Sequence, residues 1–106
     1  MKMKLSYAAI FCLGVSVATP GFAQSAGADI YKSKCAPCHS ADGTAATPAG
    51  KMLKAASFKD PTIVKTPDAQ LIAVVKSGRN KMPSFNGKLS DDQIKAAVAY
   101  IRTLQK

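Results

Sequence analysis

The sequence predicts an all-α fold: one small domain behind an export leader. Two observations carry this. Apolar residues recur at the helical period in the last third of the chain, and no stretch alternates apolar and polar residues long enough to form a strand. The length of 106 residues, with no internal repeat, leaves room for a single core.

Met1-Lys2-Met3-Lys4 is followed by an apolar run from Leu5 to Ala18 and then by Thr19-Pro20-Gly21-Phe22-Ala23. The basic start, the apolar middle too short to span a bilayer, and the small residues Gly21 and Ala23 define a signal peptide over residues 1–23, cleaved before Gln24. Residues 24–106 form the domain, and Cys12 leaves with the leader.

Ser25 to Cys35 reads as a short helix, with Ser25 as a cap and Asp29 early in it. Gly27, Tyr31 and Cys35 recur at four-residue steps and share a face that leads into Cys35-Ala36-Pro37-Cys38-His39. Glycine is costly inside a helix, so Gly27 predicts a second helix passing close at that point. Residues 36–50 form a loop rich in Ala, Gly, Thr and Pro, followed by a short helix over residues 51–55. A further helix takes Thr66 as cap and Pro67 as its first residue, buries Leu71, Ile72, Val74 and Val75, and stops at Gly78. Residues 79–89 are irregular and contain Lys81-Met82-Pro83-Ser84-Phe85. The last helix opens at Ser90 with a capping box closed by Gln93, and Ile94, Ala97, Val98, Ile101 and Leu104 form one apolar stripe that needs a partner helix.

Of 15 lysines and arginines two lie in the leader, so 13 face six aspartates in the domain, a net charge of about +7 with no glutamate. Export argues against nucleic acid as the partner of this excess, and the basic residues are spread singly. Anionic lipid and an acidic protein surface are the other candidates, and ordinary solvation accounts for most of the residues. The apolar residues are few and there is no Trp, so a large flat cofactor would supply missing interior.

Two thiols and the only histidine of the chain stand within five residues at Cys35, Cys38 and His39. Tetrahedral zinc needs a fourth ligand, and the domain offers only scattered aspartates. A thioredoxin-like redox pair is expected beside a βαβ unit, and no strands supply one. Covalent haem uses all three residues: each thiol adds to one vinyl group, and the adjacent imidazole lies beneath the iron. A sixth ligand is then needed and no second His exists. Thioether sulfur is the leading candidate, from Met82 in an extended segment before a proline, whereas Met52 beside Leu53 reads as core.

Together, the CAPCH segment, Met82-Pro83 followed by Phe85, and the terminal helices with Gly27, Tyr31 and Tyr100 resemble the small soluble class I c-type cytochromes of bacteria over the whole domain. The resemblance implies the cytochrome c fold, with three main helices and loops wrapped round one haem c attached through Cys35 and Cys38. It implies His39 and Met82 as axial ligands, and Pro48 as the residue whose carbonyl accepts a hydrogen bond from the ligand histidine. The absence of Trp removes any tryptophan bond to a haem propionate.

The implied function is single-electron transfer between redox proteins outside the cytoplasm, in the periplasm, without catalysis. With both axial positions filled, no open site remains for substrate. A haem enzyme or gas sensor is the alternative, and the lack of a second His or any Glu counts against it. The expected partners are an electron donor and acceptor with acidic docking surfaces, such as an oxidase, a dehydrogenase or a cytochrome complex. Lys34, Lys76, Arg79, Lys81 and Lys88 are the candidate docking cations. The expectations also include a monomer, no nucleic acid, and no stable membrane insertion once the leader is removed.

Overall fold

The computed structural model describes Gly14 and residues 20–106. The expected leader, with Cys12, thus falls outside the described residues apart from Gly14 and the backbone from Pro20 onward.

The first helix begins earlier than expected. Helix α1 spans Pro20–Ile30, continues through a π-helical turn at Tyr31–Cys35 and ends in α2, Ala36–His39. Proline suits a helix start and the helix runs on from it through Gly21, so Ser25 lies within α1 instead of capping it. Helix α3 spans Pro48–Leu53, three residues ahead of its expected start, because Thr47 accepts a hydrogen bond from the Gly50 N–H and Pro48 sets the first turn. An unexpected short helix α4, Pro61–Lys65, is capped by Asp60, whose carboxylate accepts from the Thr62 N–H at 2.9 Å. Helix α5 spans Asp68–Ser77; its N-cap is Pro67, while Thr66 closes α4 by donating its hydroxyl to the Thr62 carbonyl at 2.7 Å. Gly78 ends α5 as expected, with φ of 75°. Helix α6, Asp91–Leu104, opens with the full Ser90–Gln93 capping box. Among the described residues the only strand-like pairings are the isolated bridges Arg79 with Met82 and Asn86 with Leu89, so the all-α reading holds.

Helices α1 and α6 pack along each other. At Gly27 a methyl group would run into the Ala96 carbonyl, 2.9 Å from its carbon and 3.3 Å from Tyr100 Cβ, which is the close passage the sequence required. Ile94, Ala97, Val98 and Ile101 of the α6 stripe are all buried. Each fully buried Ile or Val contributes roughly 1.5–3 kcal/mol. Arg102 carries α6 to the α4–α5 junction: Nε donates to Asp68 Oδ1 at 2.7 Å, and the guanidinium also meets the carbonyls of Ile63, Val64 and Thr66.

Two apolar clusters result. One joins Tyr31, Cys35, Phe58 and Ile101; the other joins Val75, Phe85, Ile94 and Val98, with Met82 and Leu89 packed against it. Met52, expected in the core, is instead 77 % exposed. Helix α3 is too short to cover both its sides, and its buried position is taken by Gly50.

Candidate functional site

A cavity of about 370 Å3 opens between the two clusters. This lies within the usual size of a cofactor pocket, roughly 300–1,000 Å3. Cys35, Cys38 and His39 line it from the α1–α2 run, and Met82 with Pro83 lines it from the loop after α5. Phe58, Leu71, Val75, Phe85 and Ile101 supply apolar wall.

The CAPCH segment is short and helical, and the π-helical turn before it buries both Tyr31 and Cys35 on the side facing α6. The two cysteines are not bridged to each other. Burial pushes the Cys35 thiol up to about 11, so in the free chain it stays protonated at neutral pH. Helix α3 locks the segment from behind. The Thr47 hydroxyl lies 2.9 Å from the Pro37 carbonyl and 3.1 Å from that of Cys38. A side chain at Gly50 would collide with the Cys38 carbonyl and meet the Ala45 oxygen at 2.7 Å.

His39 is buried, and its Nδ1 lies 2.9 Å from the Ala56 carbonyl. A carbonyl only accepts, so Nδ1 carries the proton and Nε2 keeps the lone pair that a metal needs. Burial lowers the imidazole's pKa, with the Ala56 bond opposing it, which favours the neutral, ligating form. Phe58 stacks on the ring at 4.4 Å and 21°.

The resemblance gives this Nδ1 bond to Pro48; in the structure the Nδ1 partner is the Ala56 carbonyl. Pro48 is the exposed first residue of α3 and does not line the cavity; its fixed φ serves helix initiation, and Ala56 on the following loop takes the imidazole proton. A backbone carbonyl leaves no mark in sequence, which is why Ala56 was not anticipated.

Met82 is half-buried at the cavity wall, while Met52 does not reach it. Arg79 and Met82 exchange two backbone bonds, at 3.2 and 2.9 Å, around Asn80 in the left-handed region. Gly78 sits so close to the Met82 and Pro83 backbone that a methyl there would lie 2.8 Å from the Met82 oxygen. This tight turn sets where the thioether enters the cavity.

A planar macrocycle with two vinyl groups and an iron needs two thiols, one neutral imidazole with a fixed tautomer, a soft opposing ligand and apolar walls. The residues present meet each requirement. Four cations line the same cavity, Lys34, Lys54, Arg79 and Lys81, and no carboxylate does. Of the other expected docking cations, Lys88 does not line it and Lys76 is paired with Asp91 at 3.0 Å.

Comparison with known proteins agrees with this geometry. The family model described as cytochrome c oxidase, cbb3-type, subunit III matches residues 22–101. Cytochrome c6 of Picosynechococcus sp. is 36 % identical over 103 residues, covering 89 % of this chain and 82 % of that protein. Cytochrome c6 of Nostoc sp. is 34 % identical over 96 residues, 84 % of each chain. Among solved structures, the KustC0563 c-type cytochrome aligns with a TM-score of 0.69 at 33 % identity, over 76 % of this chain and 98 % of its own. Cytochrome c6 from the diatom Phaeodactylum tricornutum aligns at 0.58 and 31 % identity, over 76 % and 92 %.

Proposed function

The chain belongs to the c-type cytochromes, with the cytochrome c fold and one haem c, and we propose that Cys35 and Cys38 form its thioethers and that His39 and Met82 ligate its iron. The function is one-electron transfer. Bound haem supplies a ferric–ferrous couple. His39, held through Nδ1 by Ala56, offers Nε2; Met82, held by the Gly78–Met82 turn, offers a soft sulfur that favours the ferrous state and raises the potential. Phe58, Val75, Phe85 and Ile101 line the cavity with apolar surface that would keep water from the couple and so limit the reorganisation that accompanies each electron. With His39 and Met82 both ligating the iron, no position would remain for a substrate, which supports a carrier over an enzyme.

The observation that carries this reading is the convergence of Cys35, Cys38, His39 and Met82, from two separate segments, on one apolar cavity. Lys34, Lys54, Arg79 and Lys81 around the cavity support docking to donor and acceptor proteins with acidic surfaces. The leader over residues 1–23 supports delivery of a domain of residues 24–106 to the periplasm. No helix of the described residues is long and apolar enough to cross a membrane.

A visible and near-infrared spectrum tests the assignment. Haem should stay attached through denaturation, and the oxidised native protein should show a sulfur-to-iron band that Met82→Ala abolishes. Persistence of the band in Met82→Ala, or release of haem by denaturant alone, refutes it.

A further inference from the structure

Ser40, the residue directly after His39, has φ 63° and ψ 162°. That region belongs essentially to glycine, and a residue with a side chain held there carries strain of about 1–3 kcal/mol. Such strain persists only where the surroundings over-determine it, and here hydrogen bonds on the Ser40 N–H, carbonyl and hydroxyl do, among them one from the Gly43 N–H to the carbonyl at 3.2 Å. The Tyr31 hydroxyl donates to the Ser40 carbonyl at 2.6 Å. The Ser40 N–H donates to the Ala36 carbonyl at 2.9 Å. The Ser40 hydroxyl donates to Asp42 Oδ1 at 2.5 Å and accepts from the Thr44 N–H at 3.2 Å.

We propose that Tyr31 is a positioning residue that, through its hydroxyl on the Ser40 carbonyl, fixes the plane of the His39 imidazole. The proposal rests on His39 being the axial ligand. Tyr31 touches both parts of the frame around that ring. Its hydroxyl holds the carbonyl of Ser40, the strained residue that follows His39, and its own ring packs at 6.2 Å on Phe58, which stacks on the imidazole. Tyr31 is fully buried, with its other side against Tyr100 at 5.2 Å, so the phenol has one position to occupy. Burial raises the phenol's pKa well above its ordinary value, and the hydroxyl therefore remains a donor throughout the working pH range.

Loss of the Tyr31 bond leaves the Ser40 carbonyl only the Gly43 N–H at 3.2 Å, so Ser40 relaxes toward an ordinary φ and ψ, which turns the His39 side chain relative to Ala56. The Nδ1–H bond to Ala56 raises the basicity of Nε2 and so favours ferric iron; a poorer bond favours ferrous iron. Asp42 acts on the same residue from the solvent side through the Ser40 hydroxyl, as a second and weaker hold.

The test uses the haem-loaded chain with Tyr31→Phe, which keeps the ring and removes only the hydroxyl. Three quantities are read: the pattern of haem-methyl proton shifts in the ferric protein, which reports the imidazole plane; the reduction potential; and Tm. The expected result is a changed methyl pattern and a shift of about three-fold toward the ferrous form, roughly 30 mV at 59 mV per decade for one electron. Asp42→Asn should change the pattern in the same direction by less. A fall in Tm with methyl pattern and potential unmoved shows a merely structural tyrosine and overturns the proposal. Should Tyr31→Phe fail to fold, Asp42→Asn decides on the same readouts, an unmoved pattern again overturning it. Failure of the ligand assignment itself would appear earlier, in the unsubstituted protein, as the absence of the sulfur-to-iron band.

Discussion

Gly27→Ala separates helix propensity from close packing, because the two act with opposite sign. Gly27 lies inside α1, where alanine is intrinsically better by about 1 kcal/mol. Propensity alone therefore predicts a gain. In the structure the new methyl would sit 2.9 Å from the Ala96 carbonyl carbon, where ordinary contact begins at 3.4 Å, and that carbon and its oxygen are helix backbone. Separation of α1 from α6 by at least half an ångström is the available response. A gap of 0.5–1 Å forfeits roughly a quarter to a half of each contact's dispersion energy. The side chains beside this crossing, Tyr31, Ile101 and the half-buried Tyr100 and Leu104, are each worth up to roughly 1.5–3 kcal/mol of burial, so a quarter to a half of part of that sum costs about 3 kcal/mol. Net of propensity, the variant should lose about 2 kcal/mol, a fall in Tm of roughly 8–16 °C for a domain of this size. Thermal unfolding of the oxidised, haem-loaded protein followed by far-ultraviolet circular dichroism measures this. An unchanged or higher Tm would show that the helices do not meet at Gly27.

Asp42 gives a pH signature. Hydrogen bonds from Ser40 and Thr44 hold its carboxyl down at about 2, against 3.8 for the ordinary group. A depressed carboxyl contributes stability that is fully present above its unfolded value and is lost as pH falls through the folded one. The Tm difference between the parent and Asp42→Asn should therefore be constant above pH 4 and shrink between pH 3.8 and about 2; a difference independent of pH in that window would contradict the bonding. The double variant Arg79→Glu, Lys81→Glu tests docking. Transfer to an acidic partner should slow at low salt and lose most of its ionic-strength dependence, and an equal salt dependence in parent and variant would remove the two cations from the docking surface.

How much was legible in the sequence follows from where each piece of information is stored. Side-chain chemistry at fixed spacing is local and survives folding unchanged. CAPCH, the Ser90–Gln93 capping box, the Gly78 stop and the closeness demanded by Gly27 could all be read directly, and each has its counterpart in the fold. Met82 lies at the cavity wall and Met52 does not, although Met52 is exposed where its place beside Leu53 pointed to the core. The failures share a different cause. The proton acceptor of His39 is a main-chain oxygen, and any residue at position 56 would supply it, so no pattern could single out Ala56 over Pro48. Ser40 carries a conformation that its own side chain opposes, and the contacts that enforce it come from Tyr31, nine residues earlier, as well as from its neighbours Asp42 and Thr44. The atoms that could tune the iron here thus belong mostly to backbone, whereas the atoms that would attach it belong to side chains. Attachment was for that reason readable from residue identity, and tuning became visible only once the chain was folded.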